Sequence, residues 1–176
     1  MKPFTTVASI VFAIICVFHV VRLFLGWEAK VKLAGLDWAA GKIDDAERQL
    51  QEVLKENSRS TDALLLRGKI ALQRGNGKDA TQDFRSVLKD QPESADAHLL
   101  LARAYLMTGE TTLARESLDG ALSVKPALME AQLMLAGLDA SVGHTKEARE
   151  RLEPLIARDP GNVTLLGMMF QLQTQE

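Results

Sequence analysis

The sequence holds one cysteine, Cys16. A single thiol excludes an intramolecular disulfide and a thiolate zinc site. Positive charge is nowhere concentrated: 21 basic and 23 acidic residues are interspersed, for a formal net charge of -2. A nucleic-acid binder normally carries a clustered cationic footprint, so that class is set aside. Aromatic residues make up only 5%, while Ala and Leu dominate, which favours helices over sheets. The histidines, His19, His98 and His144, have no close ligand spacing. The metalloprotease, nucleophile-elbow and phosphate-loop signatures are all missing. Carboxylates are common, but they fall on the outer faces of periodic helices, where a solvated face is the default. No enzyme, metal or cofactor is expected.

The first 27 residues, MKPFTTVASIVFAIICVFHVVRLFLGW, differ from everything after them. Phe4 to Val21 carries no full charge. As a helix this run would be ~27 Å long, close to the ~30 Å hydrocarbon core of a bilayer. Arg22 can snorkel to the interface, and Trp27 suits the headgroup layer. The segment therefore reads as one transmembrane helix, with the bilayer as partner of residues 4–25. A cleaved signal peptide would show small residues at its end, and here the end is bulky. Cys16 follows Ile14 and Ile15, which does not suit lipid attachment. The flanking charges, Lys2 against Arg22, Lys30 and Lys32, would by count alone place the main domain in the cytoplasm, which stays open as the alternative. Long domains translocate largely regardless of charge, and a lysine followed by an apolar run resembles an uncleaved export signal. The expectation is a single-pass protein of the bacterial inner membrane with its main domain on the periplasmic side.

Residues 75–80 read GNGKDA, a string that invites a search for a phosphate loop. The register around it points elsewhere. Gly75 has equivalents 34 residues back at Gly41 and 34 residues on at Gly109, then at Gly143. Each glycine is followed five residues later by alanine: Ala46, Ala80, Ala114 and Ala148. Four residues further stand Leu50, Phe84, Leu118 and Leu152, and eight beyond those come Ser58, Pro92, Pro126 and Pro160. No insertion or deletion breaks the register. Each unit reads as two amphipathic helices, with a glycine turn between them and a proline at or just past the end of the second. A dinucleotide fingerprint needs a strand before it, whereas a helix from Asp62 to Arg74 precedes Gly75. Gly75 is read as the inter-helix turn. Gly77 aligns with Thr111 and Thr145 as the N-cap of the second helix, so Thr or Asp there should be neutral or stabilising.

The pattern resembles the tetratricopeptide repeat (TPR) family over about residues 27 to 176. The third copy matches almost throughout, with Ala102, Tyr105, Gly109, Ala114, Leu118, Ala121 and Pro126. The second carries Gly68, Gly75, Ala80, Phe84 and Pro92; the fourth carries Ala136, Gly143, Ala148, Leu152 and Pro160. The first is degenerate, with Asp37 where the family has an aromatic residue or Leu at position 11, and Ser58 in place of Pro. The resemblance implies an all-α, right-handed α-solenoid of about four helix-turn-helix repeats plus a C-terminal capping helix, preceded by the transmembrane helix. The expected bounds are 1–27 for the anchor, 28–60, 61–94, 95–128 and 129–162 for the repeats, and 163–176 for the cap.

In this family the first helices line a concave groove. That correspondence implies a partner groove of Asp62, Leu65, Lys69, Leu72 and Gln73 in copy two, Asp96, Leu99, Arg103, Leu106 and Met107 in copy three, and Glu130, Leu133, Gly137, Ala140 and Ser141 in copy four. Copy one would add Glu28, Val31, Gly35, Trp38 and Ala39. Leu65, Leu99 and Leu133 form an apolar row; Lys69 and Arg103 share its face. The expected ligand is an extended or helical protein segment with apolar anchors and an acidic group. In the alternative, these leucines pack between repeats. The chaperone-tail clamp of the family is missing, because its positions hold Leu65, Lys69, Leu100, Glu130 and Met134. In the terminal helix, Met168, Met169, Phe170 and Leu172 suggest homo-oligomer formation. Phe170 stands where full copies have Ala or Gly. The functional expectation is a membrane-anchored scaffold that recruits or assembles partner proteins. Its spacing and Ala/Leu-rich wording are similar to TPR proteins of bacterial envelope assembly and exopolysaccharide export. The alternative is a structural oligomerisation module acting through the terminal helix.

Overall fold

Four glycines set the architecture. Gly41, Gly75, Gly109 and Gly143 are the positive-φ residues among those described, at φ 78° to 81°. That left-handed conformation suits a residue without Cβ. Each forms the same turn: its N–H donates to the carbonyl three residues back, and the next N–H donates to the carbonyl five back, at 2.8 to 2.9 Å. This is the Schellman arrangement, which satisfies the orphan carbonyls of the first helix and reverses the chain.

The computed structural model describes residues 26–174. Among them are nine helices and no strand: α1 (26–39), α2 (Ile43–Glu56), α3 (Thr61–Gln73), α4 (Gly77–Asp90), α5 (Ala95–Thr108), α6 (Thr111–Val124), α7 (Met129–Ser141), α8 (Thr145–Arg158) and α9 (Val163–Thr174). The chain divides into two compact units, Met1–Ile70 and Ala71–Glu176. The transmembrane helix read from residues 1–27 lies outside the described residues except for Gly26 and Trp27. Among the described residues no helix is long and apolar enough to cross a membrane. Trp27 sits in α1, where its indole N–H donates to Glu56 of α2 at 2.6 Å; it is engaged with the first helix pair.

The core follows the sequence register. Ala46, Ala80, Ala114 and Ala148 are fully buried, as are Leu50, Phe84, Leu118 and Leu152. The alanines let paired helices approach, and each large side chain contributes about 1.5–3 kcal/mol by burial. The prolines stand just past the second helices, which end at Asp90, Val124 and Arg158. Ser94 starts α5 by accepting the Ala97 N–H, and Asn162 starts α9 by accepting those of Thr164 and Leu165.

One capping expectation is overturned. Gly77, Thr111 and Thr145 are first helical residues; the N-caps are Asn76, Glu110 and His144, none with a side-chain capping bond. Gly77 is buried, and a Cβ there would lie 2.9 Å from Thr108 Cγ2 and 3.2 Å from the Ala104 carbonyl oxygen. The glycine is required by the close approach of α5 to α4. Thr or Asp at this position would collide rather than stabilise.

Candidate protein-binding surface

The implied groove residues divide between the two units. In the first, Asp62 is exposed, while Leu65 and Lys69 are half-buried. In this unit Lys30 of α1 pairs with Glu52 of α2 at 3.0 Å, and Lys32 pairs with Glu28 one turn away within α1 at 2.7 Å. The hydrogen bonds that Lys30 donates to Glu52 and Lys32 donates to Glu28 hold both ammonium groups above the ordinary lysine value. Exposed pairs of this kind add little stability.

In the second unit the first helices α5 and α7 present Asp96, Arg103 and Met107 as exposed residues, with Leu106, Glu130 and Leu133 half-buried. Leu72 is half-buried and Gln73 exposed at the end of α3. Leu99 does not belong to a ligand surface. It is 7% exposed and packs with Ala102, Leu118, Ala121, Ala131 and Leu135. Its carbon skeleton is consumed by the packing of repeat three on repeat four, as the alternative reading of the leucine row expected. Leu133 is likewise packed against the next core cluster, which includes Ala136, Leu152 and Leu165. Arg103 is already ion-paired to Glu130 across the two first helices, which lowers its availability to an acidic ligand group.

The smallest side chains of this face open a hollow of about 150 Å³ between α7 and α9, lined by Ala136, Gly137, Ala140, Met168, Gln171 and Leu172. A Cβ at Gly137 would meet nothing within 4 Å. One aliphatic side chain fits such a space, and Met168 is an adaptable wall.

The terminal helix is only partly as expected. Leu172 is 3% exposed and belongs to the core, with Met168 and Met169 packed against the same cluster. It is therefore withdrawn from the self-association surface: it fills the seam that α9 makes with the fourth repeat. Phe170, at 66% exposure, is joined by Val163 and Leu166. Their spacing places the three on one helical face.

Asp139 is, with Asp83, one of two buried charged residues among those described, and the repeat pattern did not single it out. The Asp139 side chain is 4% exposed; Arg115 Nη2 donates to its Oδ1 at 2.7 Å and Arg151 Nε to its Oδ2 at 2.8 Å. Burial alone would raise its pKa, but the hydrogen bonds from Arg151 and Arg115 outweigh that and hold the carboxyl below its ordinary value. A signal for this site was present. Asp37 and Asp139 occupy the same repeat position, and each accepts a hydrogen bond from the residue twelve further on, Gln49 at 2.6 Å and Arg151 at 2.8 Å. The apparent degeneracy of the first copy is thus a polar version of the contact within a repeat.

Two family models, each described as tetratricopeptide repeat, match residues 31–86 and 71–127. Residues 31–127 of this chain are built from tetratricopeptide repeats. Its fold is similar to a crystal structure of MamA, at TM-score 0.77 and 23% identity over 85% of this chain and 81% of that one. A TPR protein from Parabacteroides merdae superposes with TM-score 0.76 at 20% identity, covering 86% of this chain and 59% of that one. YrrB, described as a TPR protein with an unusual peptide-binding site, gives TM-score 0.72 at 19% identity over 82% and 75%. No curated protein matches the sequence. Similarity at this level establishes the TPR fold, in which peptides or proteins are bound in the groove. Among the described residues of this TPR chain, no group of His, Cys, Asp and Glu could hold a metal ion.

Proposed function

We propose that this TPR scaffold is anchored in the bacterial inner membrane by its N-terminal segment and recruits or assembles partner proteins there, without catalysing a reaction. The observation that carries the binding role is the hollow at Gly137 and Ala140, open on the first-helix face of repeat four. A protein segment lying along α5 and α7 would place an aliphatic side chain in it and its polar groups against Asp96 and the Arg103–Glu130 pair. The uncharged run Phe4 to Val21 supports the anchor, and Lys2 before that run supports a periplasmic domain. A topology reporter fused after Glu176 tests the second point; activity of a cytoplasm-only reporter would contradict it. For the binding role, a photo-cross-linker at Ala140 in intact membranes is expected to give a discrete protein adduct that Gly137→Leu removes. An adduct unaffected by filling the hollow would overturn the reading.

A second reading rests on Val163, Leu166 and Phe170, which expose an apolar stripe on α9. Under it the chain is an oligomerisation module. Sedimentation of the full chain in detergent should then show an oligomer that Phe170→Ser dissociates.

A further inference from the structure

A second cleft lies on the edge formed by the turns within repeats and shares only Ser141 with the implied first-helix groove. It measures about 570 Å³ and is bounded by the start of α6, the end of α7 and the start of α8. Arg115, Asp139, Arg151 and Glu147 line it, with Leu138 and Val142 as an apolar wall.

The charges do not balance at depth. Asp139 is buried, and two guanidinium groups, about one-third exposed, converge on it. One carboxylate neutralises one of them. Glu147 is exposed on the rim, where solvent and salt screen it. A half-buried excess of positive charge is costly unless paired. Asp139 engages one nitrogen of each guanidinium, and arginine has five N–H donors in a fixed fork. A second carboxylate on the open side would complete an alternating network with charge-assisted bonds. The cleft is far larger than one carboxylate, and its other wall is apolar, with Val142 61% exposed. A free inorganic anion would leave that wall wet.

We propose that this cleft binds an acidic side chain of a partner protein, set beside an aliphatic one that covers Leu138 and Val142. The cleft shares no lining residue with the hollow at Gly137 and Ala140.

The test is a nuclear magnetic resonance titration of the isotope-labelled full chain with acetyl-Glu-Leu-Leu-amide. The expected result is saturable shifts of the amides of residues 111–115 and 138–147. The Gln counterpart of the peptide should bind roughly tenfold more weakly, as should Thr112→Glu and Val142→Glu, each of which brings a carboxylate to an exposed lining position. Unchanged melting temperatures would show that both variants fold. Gly137→Leu should leave this binding intact, which separates its failure from that of the first-helix surface. Absent shifts, equal affinity for the Glu and Gln peptides, or inorganic phosphate saturating the same signals as tightly as the peptide would each overturn the proposal.

Discussion

Two successive junctions in the second unit solve the same packing problem differently. Where α5 meets α4, Gly77 removes a side chain and the backbones close in, with Thr108 and Ala104 against the gap. Where α7 meets α6, Thr111 stands at the equivalent position and the packing is less extensive. Arg115 and Asp139 bridge that second junction with charge; Thr81 and Tyr105 hold the corresponding places in the first. The Thr81 hydroxyl is buried without a hydrogen-bond partner among the described residues. One junction is closed by shape and the other by an ion triad. A repeat array is stabilised by such nearest-neighbour interfaces, so the two should respond differently to the same perturbation.

The largest contrast comes from Asp139→Ala. It strips both guanidinium groups of their partner and should cost about 2–3 kcal/mol in urea unfolding, less than a fully buried pair because the arginines are partly solvated. A loss under half of that would mean that the triad is ornamental. Gly77→Thr should cost about 1–3 kcal/mol by overpacking, whereas Thr111→Gly should cost no more than about 1 kcal/mol. Equal effects would dissolve the distinction between the junctions.

Acid should separate them as well. The Asp139 carboxyl titrates below its ordinary value in the folded chain. Its contribution is therefore complete above the unfolded carboxylate pKa, about 3.9, and is lost as pH falls through the lower folded value. Protection of the α7 and α8 amides, relative to the intrinsic exchange rate at each pH, should fall below about pH 4, more than in α4 and α5, and Asp139→Asn should abolish the difference. The smallest effect is expected at the turns: Gly75→Ala and Gly109→Ala should each cost about 1 kcal/mol through positive φ. Insensitivity at either turn would contradict the φ values.

What could be read from the sequence was whatever repeats. Gly41 and its three equivalents, the buried alanines and the row from Leu50 to Leu152 recur at fixed spacing because every repeat meets the same neighbours. Leu99 was misplaced because its position borders both the groove and the core between repeats, and one residue type suits either. Leu172 was misplaced because apolar residues around a whole helix do not reveal which face is covered. Gly77 was misread as a cap, and the Arg115 arm of the Asp139 triad escaped, because each is peculiar to one junction. Periodicity describes what the junctions share, and these residues are where they differ.

The scaffold reading is tested most directly by hydrogen–deuterium exchange on the full chain, with and without the partner captured at Ala140. Protection should gather on α5 and α7, within residues 96–107 and 130–141, and on the side of α9 that meets the hollow. Protection confined to the Val163–Leu166–Phe170 face, with α5 and α7 unchanged, would contradict it and leave oligomerisation as the function.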